Sequence, residues 1–359
     1  MSKIVVGISG GIDSAVTAYR LKQEGYEVIG AHLQVTENPI VDPEKIERIK
    51  NALEIPIHIL HVEEKFKRIV LKNFKEDHLA GRTPSPCIVC NPELKWQALY
   101  ELAEQVEAEY IASGHYINKE KINDTWYLLK GIDAVKDQSY FLWRLTQPQL
   151  NKMHTPLGEI SKNEVIAYAK ETNLHFLAEQ KESTGLCFAQ GLSYPELLEQ
   201  YIPEIKTLGT GEVWNSDNEV VGSHKGYVYY TIGQKRGIYF FDDAHKGLCI
   251  VKLDAENNRI YVDNEDSLWV NSFFINQCDF VNEQEVLRHK QLTVMVRGIG
   301  RNPAGYGQVS IMHDGMYQVE LENPAWAMAP GQPVVFYHEN RLLGGGIMCS
   351  PCSDSDTSA

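Results

Sequence analysis

Ser9-Gly10-Gly11-Ile12-Asp13-Ser14 decides the fold of this chain. The stretch follows a β-branched run, Ile4 to Ile8, and opens a segment from Ser14 to Glu24 in which Val16, Tyr19 and Leu21 recur at helical spacing. It therefore reads as the turn between a strand and a helix. Two consecutive glycines let the backbone bend tightly, so that its N–H groups and the helix N-terminus behind them face an anion. No Gly-Lys-Ser/Thr follows at the Walker A interval and the dinucleotide G-x-G-x-x-G pattern is absent, which sets the turn apart from both. A plain Gly-rich turn closed by an Asp or Ser helix cap is the bland alternative.

Working outward, Tyr26 to Leu33 reads as a second buried strand, Pro43 to Leu53 as a helix, and Ile55 to Val62 as a third strand. Glu93 to Val106 reads as a long helix and Tyr110 to Ser113 as a fourth strand. Repeated β-α-β at this spacing predicts an α/β fold with a doubly wound parallel sheet and ligands at the carboxyl ends of its strands. From about Pro203 short strand-like runs and glycines take over: Tyr227 to Ile232, Gly247 to Leu253, Arg259 to Val262, Leu292 to Val296, Gln308 to Met312, Tyr317 to Leu321 and Pro333 to Tyr337. They predict two small β-rich domains, the last a β-barrel. The expected division is 1–202 for the catalytic domain, 203–268 for a central β-rich domain, 269–349 for the barrel and 350–359 for a flexible tail.

The 359 residues carry 34 Lys and Arg against 48 Asp and Glu, a net charge of −14, with 43% hydrophobic and 23% charged residues. This composition excludes wholesale disorder, and the acidic balance argues against a general nucleic-acid or anionic-membrane binder. No apolar run approaches the roughly 18 residues of a membrane span, and the first strand starts before any signal-peptide region could form, so a cytoplasmic location is expected; a monomer is the working expectation. Seven cysteines, an odd and sparse number, point to free thiols, a redox pair or metal ligands rather than a disulfide framework.

Thr83-Pro84-Ser85-Pro86-Cys87-Ile88-Val89-Cys90-Asn91 is the second anchor. Its prolines set an extended approach, and Cys90 is expected just ahead of a helix opening near Pro92, where the dipole would enrich its thiolate. C-x-x-C also reads as half a zinc site, with Cys349 and Cys352 as the other pair. The third anchor is Ser183-Thr184-Gly185-Leu186-Cys187-Phe188.

The first stretch resembles the SGGxDS signature of the PP-loop ATP pyrophosphatases. With the two cysteine segments, Gly114-His115-Tyr116, Lys136-Asp137-Gln138-Ser139-Tyr140-Phe141, Tyr230-Thr231-Ile232-Gly233-Gln234-Lys235-Arg236-Gly237, Pro330-Gly331-Gln332 and Leu343-Gly344-Gly345-Gly346-Ile347, in this order, the chain resembles the bacterial tRNA-specific 2-thiouridylase family. The resemblance implies an enzyme that uses ATP and Mg2+ to adenylate the C2 oxygen of the anticodon wobble uridine of tRNA. A persulfide on Cys187, loaded by an upstream sulfur-donor protein, then supplies sulfur with Cys90 as partner nucleophile, leaving a Cys90–Cys187 disulfide to be reduced. It implies ATP contacts at Gly7, Ile8, Ser9, Gly10, Gly11, Ile12, Asp13, Ser14, Leu33 and Gly114, with Asp13 also serving Mg2+. It implies target-base contacts at Ser85, Pro86 and Cys87, and tRNA contacts at His115, Lys136, Asp137, Gln138, Arg297, Gly298 and Gln332. His115 alone would equally read as a satisfied strand-end histidine.

The chain departs from the family at two places. Most members carry Asp where this chain has Cys87, so three thiols are expected at one site. Either Cys87 resolves the Cys90–Cys187 disulfide, or the three thiolates hold a [4Fe-4S] cluster, as in the tRNA thiolation enzymes that combine C-x-x-C with a distant Cys. At Arg297-Gly298-Ile299-Gly300-Arg301 the family's Arg-Tyr-Arg style element is interrupted by glycines, and Arg301 is a second candidate for the role of Arg297. An amide-forming PP-loop ligase is the rival enzyme class; it needs neither the three cysteines nor a β-rich second half.

Two stretches lack carboxylates altogether. Ser223 to Phe241 holds Lys225, Lys235 and Arg236 with Tyr227, Tyr229, Tyr230 and Tyr239 as stacking candidates, and Val286 to His313 holds Arg288, Lys290, Arg297 and Arg301. The net acidity is thus compatible with a tRNA face confined to one side.

Overall fold

The computed structural model describes residues 1–180, 185–297, 302–312 and 315–350. Ser183, Thr184, Gly298, Ile299, Gly300, Arg301 and Cys352, and with Cys352 nearly all of the predicted tail, lie outside the described residues. The chain forms two compact units, one of residues 1–70, 86–190 and 340–342, the other of 71–85, 191–339 and 343 onward.

The first unit is built on β1 (Lys3–Gly7), β2 (Glu27–Gln34), β3 (Ile57–His61) and β4 (Tyr110–Ala112). After β4 the chain makes an antiparallel hairpin, β5 (Ile117–Ile122) and β6 (Thr125–Lys130), before returning as β7 (Met153–His154). The sheet order is β3-β2-β1-β4-β7, and every neighbouring pair is parallel. Ile4, Val5 and Val6 are fully buried, as expected for a central strand covered on both faces. Helix α1 (Ile12–Gln23) buries Ala15, Val16, Ala18 and Leu21. Helix α2 (Pro43–Leu53) starts with Asp42 accepting from the Glu44 N–H and Pro43 in its first turn, and buries Ile46, Ile49 and Leu53 on one stripe.

The helix expected over Glu93 to Val106 differs in one respect that matters. The chain is already helical from Pro86 to Cys90, widens into a π turn over Asn91–Lys95, and continues as an α-helix over Trp96–Gln105. In an ordinary α-helix the ring of Pro92 would meet the carbonyl four residues back; the wider turn relieves that clash, so the proline does not begin the helix.

The second unit contains β8 (Gly211–Trp214), β9 (Val220–His224), β10 (Tyr239–Phe240), β11 (Cys249–Asp254) and β12 (Arg259–Asp263), ordered β10-β9-β8-β12-β11. They are followed by β13 (Trp269–Phe280), β14 (Thr293–Met295), β15 (Gly307–Ile311), β16 (Tyr317–Trp326), β17 (Pro333–His338) and β18 (Arg341–Cys349), ordered β14-β17-β18-β13-β16-β15. The two ends of this last path meet: Leu292 and Gly307 exchange backbone hydrogen bonds of 3.1 and 2.8 Å, closing it into a barrel. Gly307 permits the approach, since a Cβ there would lie 2.6 Å from Val294. The strand predicted over Tyr227 to Ile232 is absent. Tyr227–Tyr229 is a 3₁₀ turn, and the buried tyrosines in and after it find carbonyl partners, Tyr227 donating to the Leu79 carbonyl at 2.5 Å and Tyr230 to that of Gly237 at 2.6 Å.

Candidate active site

The order in which strands are added to the parallel sheet reverses between β1 and β4, which is where open α/β sheets form a crevice at their carboxyl ends. The turn leaving β1 is held by two serine hydroxyls. Ser9 N–H donates to Ser14 Oγ at 3.1 Å, the two hydroxyls lie 3.2 Å apart, and Ser14 Oγ donates to the Gly11 carbonyl at 3.0 Å. Gly10 has φ +81°, the left-handed region where glycine is at ease, and a Cβ on it would meet Val41 at 2.6 Å. Gly114, on the loop leaving β4, lies so close to the start of α1 that a Cβ would be 2.8 Å from the backbone of Asp13 and Ser14. Ile8 is buried, its N–H donating to Ala31 O and its carbonyl accepting from His32 Nδ1, so its side chain belongs to the core and only its backbone borders the crevice. Gly7 and Leu33 are half-buried at the ends of β1 and β2.

Asp13 Oδ1 accepts from Lys162 Nζ and from the Tyr116 hydroxyl, both at 2.6 Å. Lys162 is a partner that sequence reading missed, 149 residues away and without a motif of its own. One carboxylate suits Mg2+, which is usually held by one or two carboxylates together with substrate phosphates.

The thiols converge in the same unit. Cys87 is half-buried and Cys90 buried on the helix Pro86–Cys90, while Cys187 is exposed at the start of the 3₁₀ turn Cys187–Ala189. Phe188 anchors that turn, buried against Phe66 with ring centroids 5.5 Å apart. The six described cysteines are free thiols, and Cys249 and Cys278 are respectively buried and half-buried on their strands. The electrostatics correct the thiolate expectation. Burial pushes Cys90 up to about 12 and Cys87 above the usual thiol range, against the pull of Lys95. The helix starts at Pro86, so Cys90 is a full turn inside it and the dipole of its N-terminus does not act there.

Lys95, also missed by sequence reading, acts electrostatically on Cys87, Cys90 and Cys187 together. Among the described residues no three His, Cys, Asp or Glu side chains are grouped to take a metal ion. Nothing in this donor set supports the [4Fe-4S] alternative.

His115 Nδ1 and Ser113 Oγ share a 2.6 Å hydrogen bond, and its ring stacks on Trp96 at 5.9 Å. Burial, assisted by the charge of Lys95, lowers it to about 3, so the imidazole is neutral at ordinary pH. Asp137 accepts from Gly131 N–H at 3.0 Å and Ser139 Oγ at 2.7 Å, and Gln138 Oε1 accepts from Tyr116 N–H at 3.3 Å. These two side chains fasten the loop that carries the half-buried Lys136.

Other candidates lie in the second unit. Thr83 N–H donates to Pro330 O at 2.7 Å and its hydroxyl meets that of Thr231 at 2.7 Å, so the segment leading to Ser85 is tied to both the Tyr230–Gly237 and Pro330–Gln332 motifs. Gln332 is half-buried and accepts from Met348 N–H through its backbone. Arg297 donates to Ala327 O at 2.6 Å and lies over the Trp326 ring. Of the four tyrosines proposed for stacking, only Tyr239 is strongly exposed, with Phe241 as an exposed ring neighbour 6.1 Å away. Lys225, Arg236, Arg288 and Lys290 are exposed, and Lys235 is paired with Glu265 at 2.6 Å.

Three family models match in succession: a tRNA methyl transferase HUP domain over residues 2–191, a tRNA methyl transferase PRC-barrel domain over 196–264, and an aminomethyltransferase beta-barrel domain over 270–348. The chain is 36% identical over 355 residues to the tRNA-specific 2-thiouridylase MnmA of Chlorobium phaeobacteroides, covering 96% of this chain and 97% of that protein. It is 35% identical over 357 residues to that of Listeria monocytogenes, covering 96% and 94%. A solved 4-thiouridine synthetase–RNA complex with bound ATP is similar over 56% of this chain and 51% of its own, at 19% identity and a TM-score of 0.37, too low to carry weight. With relatives this similar over nearly its whole length, the chain belongs to the tRNA-specific 2-thiouridylase family.

Proposed function

We propose that the chain is the sulfurtransferase that converts the wobble uridine of tRNA to 2-thiouridine. The observation that carries this reading is that Cys87, Cys90 and Cys187 all lie within electrostatic reach of Lys95, in the unit that also holds the phosphate turn. Methyl transfer, the wording of two of the family models, would use neither the thiols nor an anion cradle.

In this reading the turn Ser9–Ser14 and Gly114 seat ATP, and Asp13 would hold Mg2+, whose charge would offset that of the phosphates. The uridine C2 oxygen attacks the α-phosphate and pyrophosphate leaves. The terminal sulfur of the Cys187 persulfide attacks C2, and AMP departs with the oxygen. Cys90, having lost its proton, attacks the Cys187 sulfur, which frees 2-thiouridine and leaves a Cys90–Cys187 disulfide. Alternatively Cys90 cleaves the persulfide first and the released hydrosulfide attacks C2; the disulfide is the same. Cys87, one helical turn from Cys90, then attacks that disulfide, frees Cys187 and passes the oxidised pair to an external dithiol. Ser85 and Pro86 border the base, and His115, Lys136, Arg297 and Gln332 meet tRNA, with Asp137 and Gln138 holding the loop of Lys136.

Mass spectrometry of tRNA nucleosides after incubation with ATP and a persulfide-loaded donor protein tests the reading, with 2-thiouridine expected. Pyrophosphate release stimulated by a small carboxylic acid instead of tRNA would favour the amide-forming ligase. Cys187→Ser is expected to abolish thiolation and retain tRNA-dependent pyrophosphate release. Cys87→Ser is expected to complete one turnover at the normal rate and to slow by about tenfold over several, judged by single- and multiple-turnover assays.

A further inference from the structure

The sulfur chemistry outlined above leaves Lys95 without a task, although the fold places it among the thiols. In an α-helix a residue five positions along is rotated by about 140°. Over Asn91–Lys95 the turn is wider, and Trp96 N–H donates to Asn91 O, five residues back. Residues five apart then come onto one face, which brings Lys95 round to Cys90. Pro92, the second residue of that turn, is the sequence cause of the wider spacing.

The side chain is half-buried. Burial alone would lower its pKa, yet Cys90, Cys87 and Cys187 together hold the ammonium above the ordinary lysine range. The same charge works downward on Cys87, Cys90 and His115. The groups around it are thus the two thiols of its own helix, the thiol of the Cys187 turn and a neutral imidazole from the loop after β4.

We propose that Lys95 is a positioning cation shared by the three thiols, held on the face of Cys90 by the π turn at Pro92 and stabilising whichever sulfur is anionic. It favours the Cys90 thiolate during attack and then the Cys187 thiolate as that sulfur is released. The sequence of attacks rests on the function proposed above; the effect on the resting thiols does not.

The test uses the full chain without ATP or tRNA. Iodoacetamide labelling of each cysteine is followed by peptide mass spectrometry from pH 7 to pH 10, with Cys249 in the second unit as internal reference. Lys95→Gln is expected to slow Cys90 and Cys87 at least tenfold at fixed pH and to move their profiles upward, a tenfold loss of thiolate corresponding to one pH unit. Lys95→Arg is expected to keep the wild-type profile, and Cys249 to stay unchanged in both. Superimposable profiles for wild type and Lys95→Gln overturn the proposal, as does a Lys95→Arg profile displaced as far as that of Lys95→Gln. Should Lys95→Gln not fold, Pro92→Ala retains every charge and permits the turn to close four residues back: slower Cys90 labelling supports the proposal, and an unchanged rate overturns it. Because no step involves tRNA, failure here is distinct from failure of the thiolation assay.

Discussion

His115 links a half-buried ring to a pH dependence. Its pKa is lowered to about 3, below the ordinary histidine value of 6.5, because burial and then Lys95 disfavour the imidazolium. The unfolded chain therefore binds a proton between about pH 6.5 and 3 that the folded chain refuses, and stability falls as pH drops through that window. At pH 5 the expected loss is about 2 kcal/mol relative to pH 7.5 from this residue, and His115→Gln should reduce the difference by that amount in urea unfolding at the two pH values. His115 could be found from sequence because it sits in Gly114-His115-Tyr116, a motif next to a strand end. Lys95 and Lys162 could not: a lone lysine acquires a task only from what the fold sets beside it, three thiols in one case and a carboxylate 149 residues away in the other.

At the scale of elements, the junction of strand β1, turn and helix α1 was legible because two glycines and two serines leave the backbone little choice. Its tightness yields a prediction. Gly114→Ala would force a Cβ to within 2.8 Å of the α1 backbone, so a loss of about 1–3 kcal/mol in stability is expected, with ATP affinity reduced more than tenfold. Gly10→Ala, strained at φ +81° and meeting only the Val41 side chain, should cost ATP affinity with a smaller fall in stability. Thermal unfolding with and without ATP, together with nucleotide titration, checks both. The π turn was not legible, since Pro92 reads as a helix start when propensity alone is weighed. Likewise Tyr227 to Ile232 has the composition of a strand, but its tyrosine hydroxyls find carbonyl partners in Leu79 and Gly237 that no local pattern announces.

Over the whole molecule, a net charge of −14 coexists with exposed Lys225, Arg236, Arg288 and Lys290 in the second unit. If these four meet phosphates, tRNA affinity falls steeply with salt, and replacing all four by Ala lowers the slope of log affinity against log salt by about three. Filter binding from 50 to 300 mM salt, on the order of the range over which such slopes are read, measures it; an unchanged slope removes these residues from the tRNA face. The barrel and the parallel sheet follow from alternating runs and glycine punctuation, whereas the meeting of the thiols could only be inferred from family resemblance. In the reaction proposed above, the unequal exposure of Cys187 and Cys90 would also give sulfur traffic a direction. A bulky carrier would then hand its cargo to the outward-facing Cys187, and the sequestered Cys90 would meet that sulfur only through it. The pair then behaves as a one-way valve, and small reagents that bypass Cys187 would be the means of short-circuiting it.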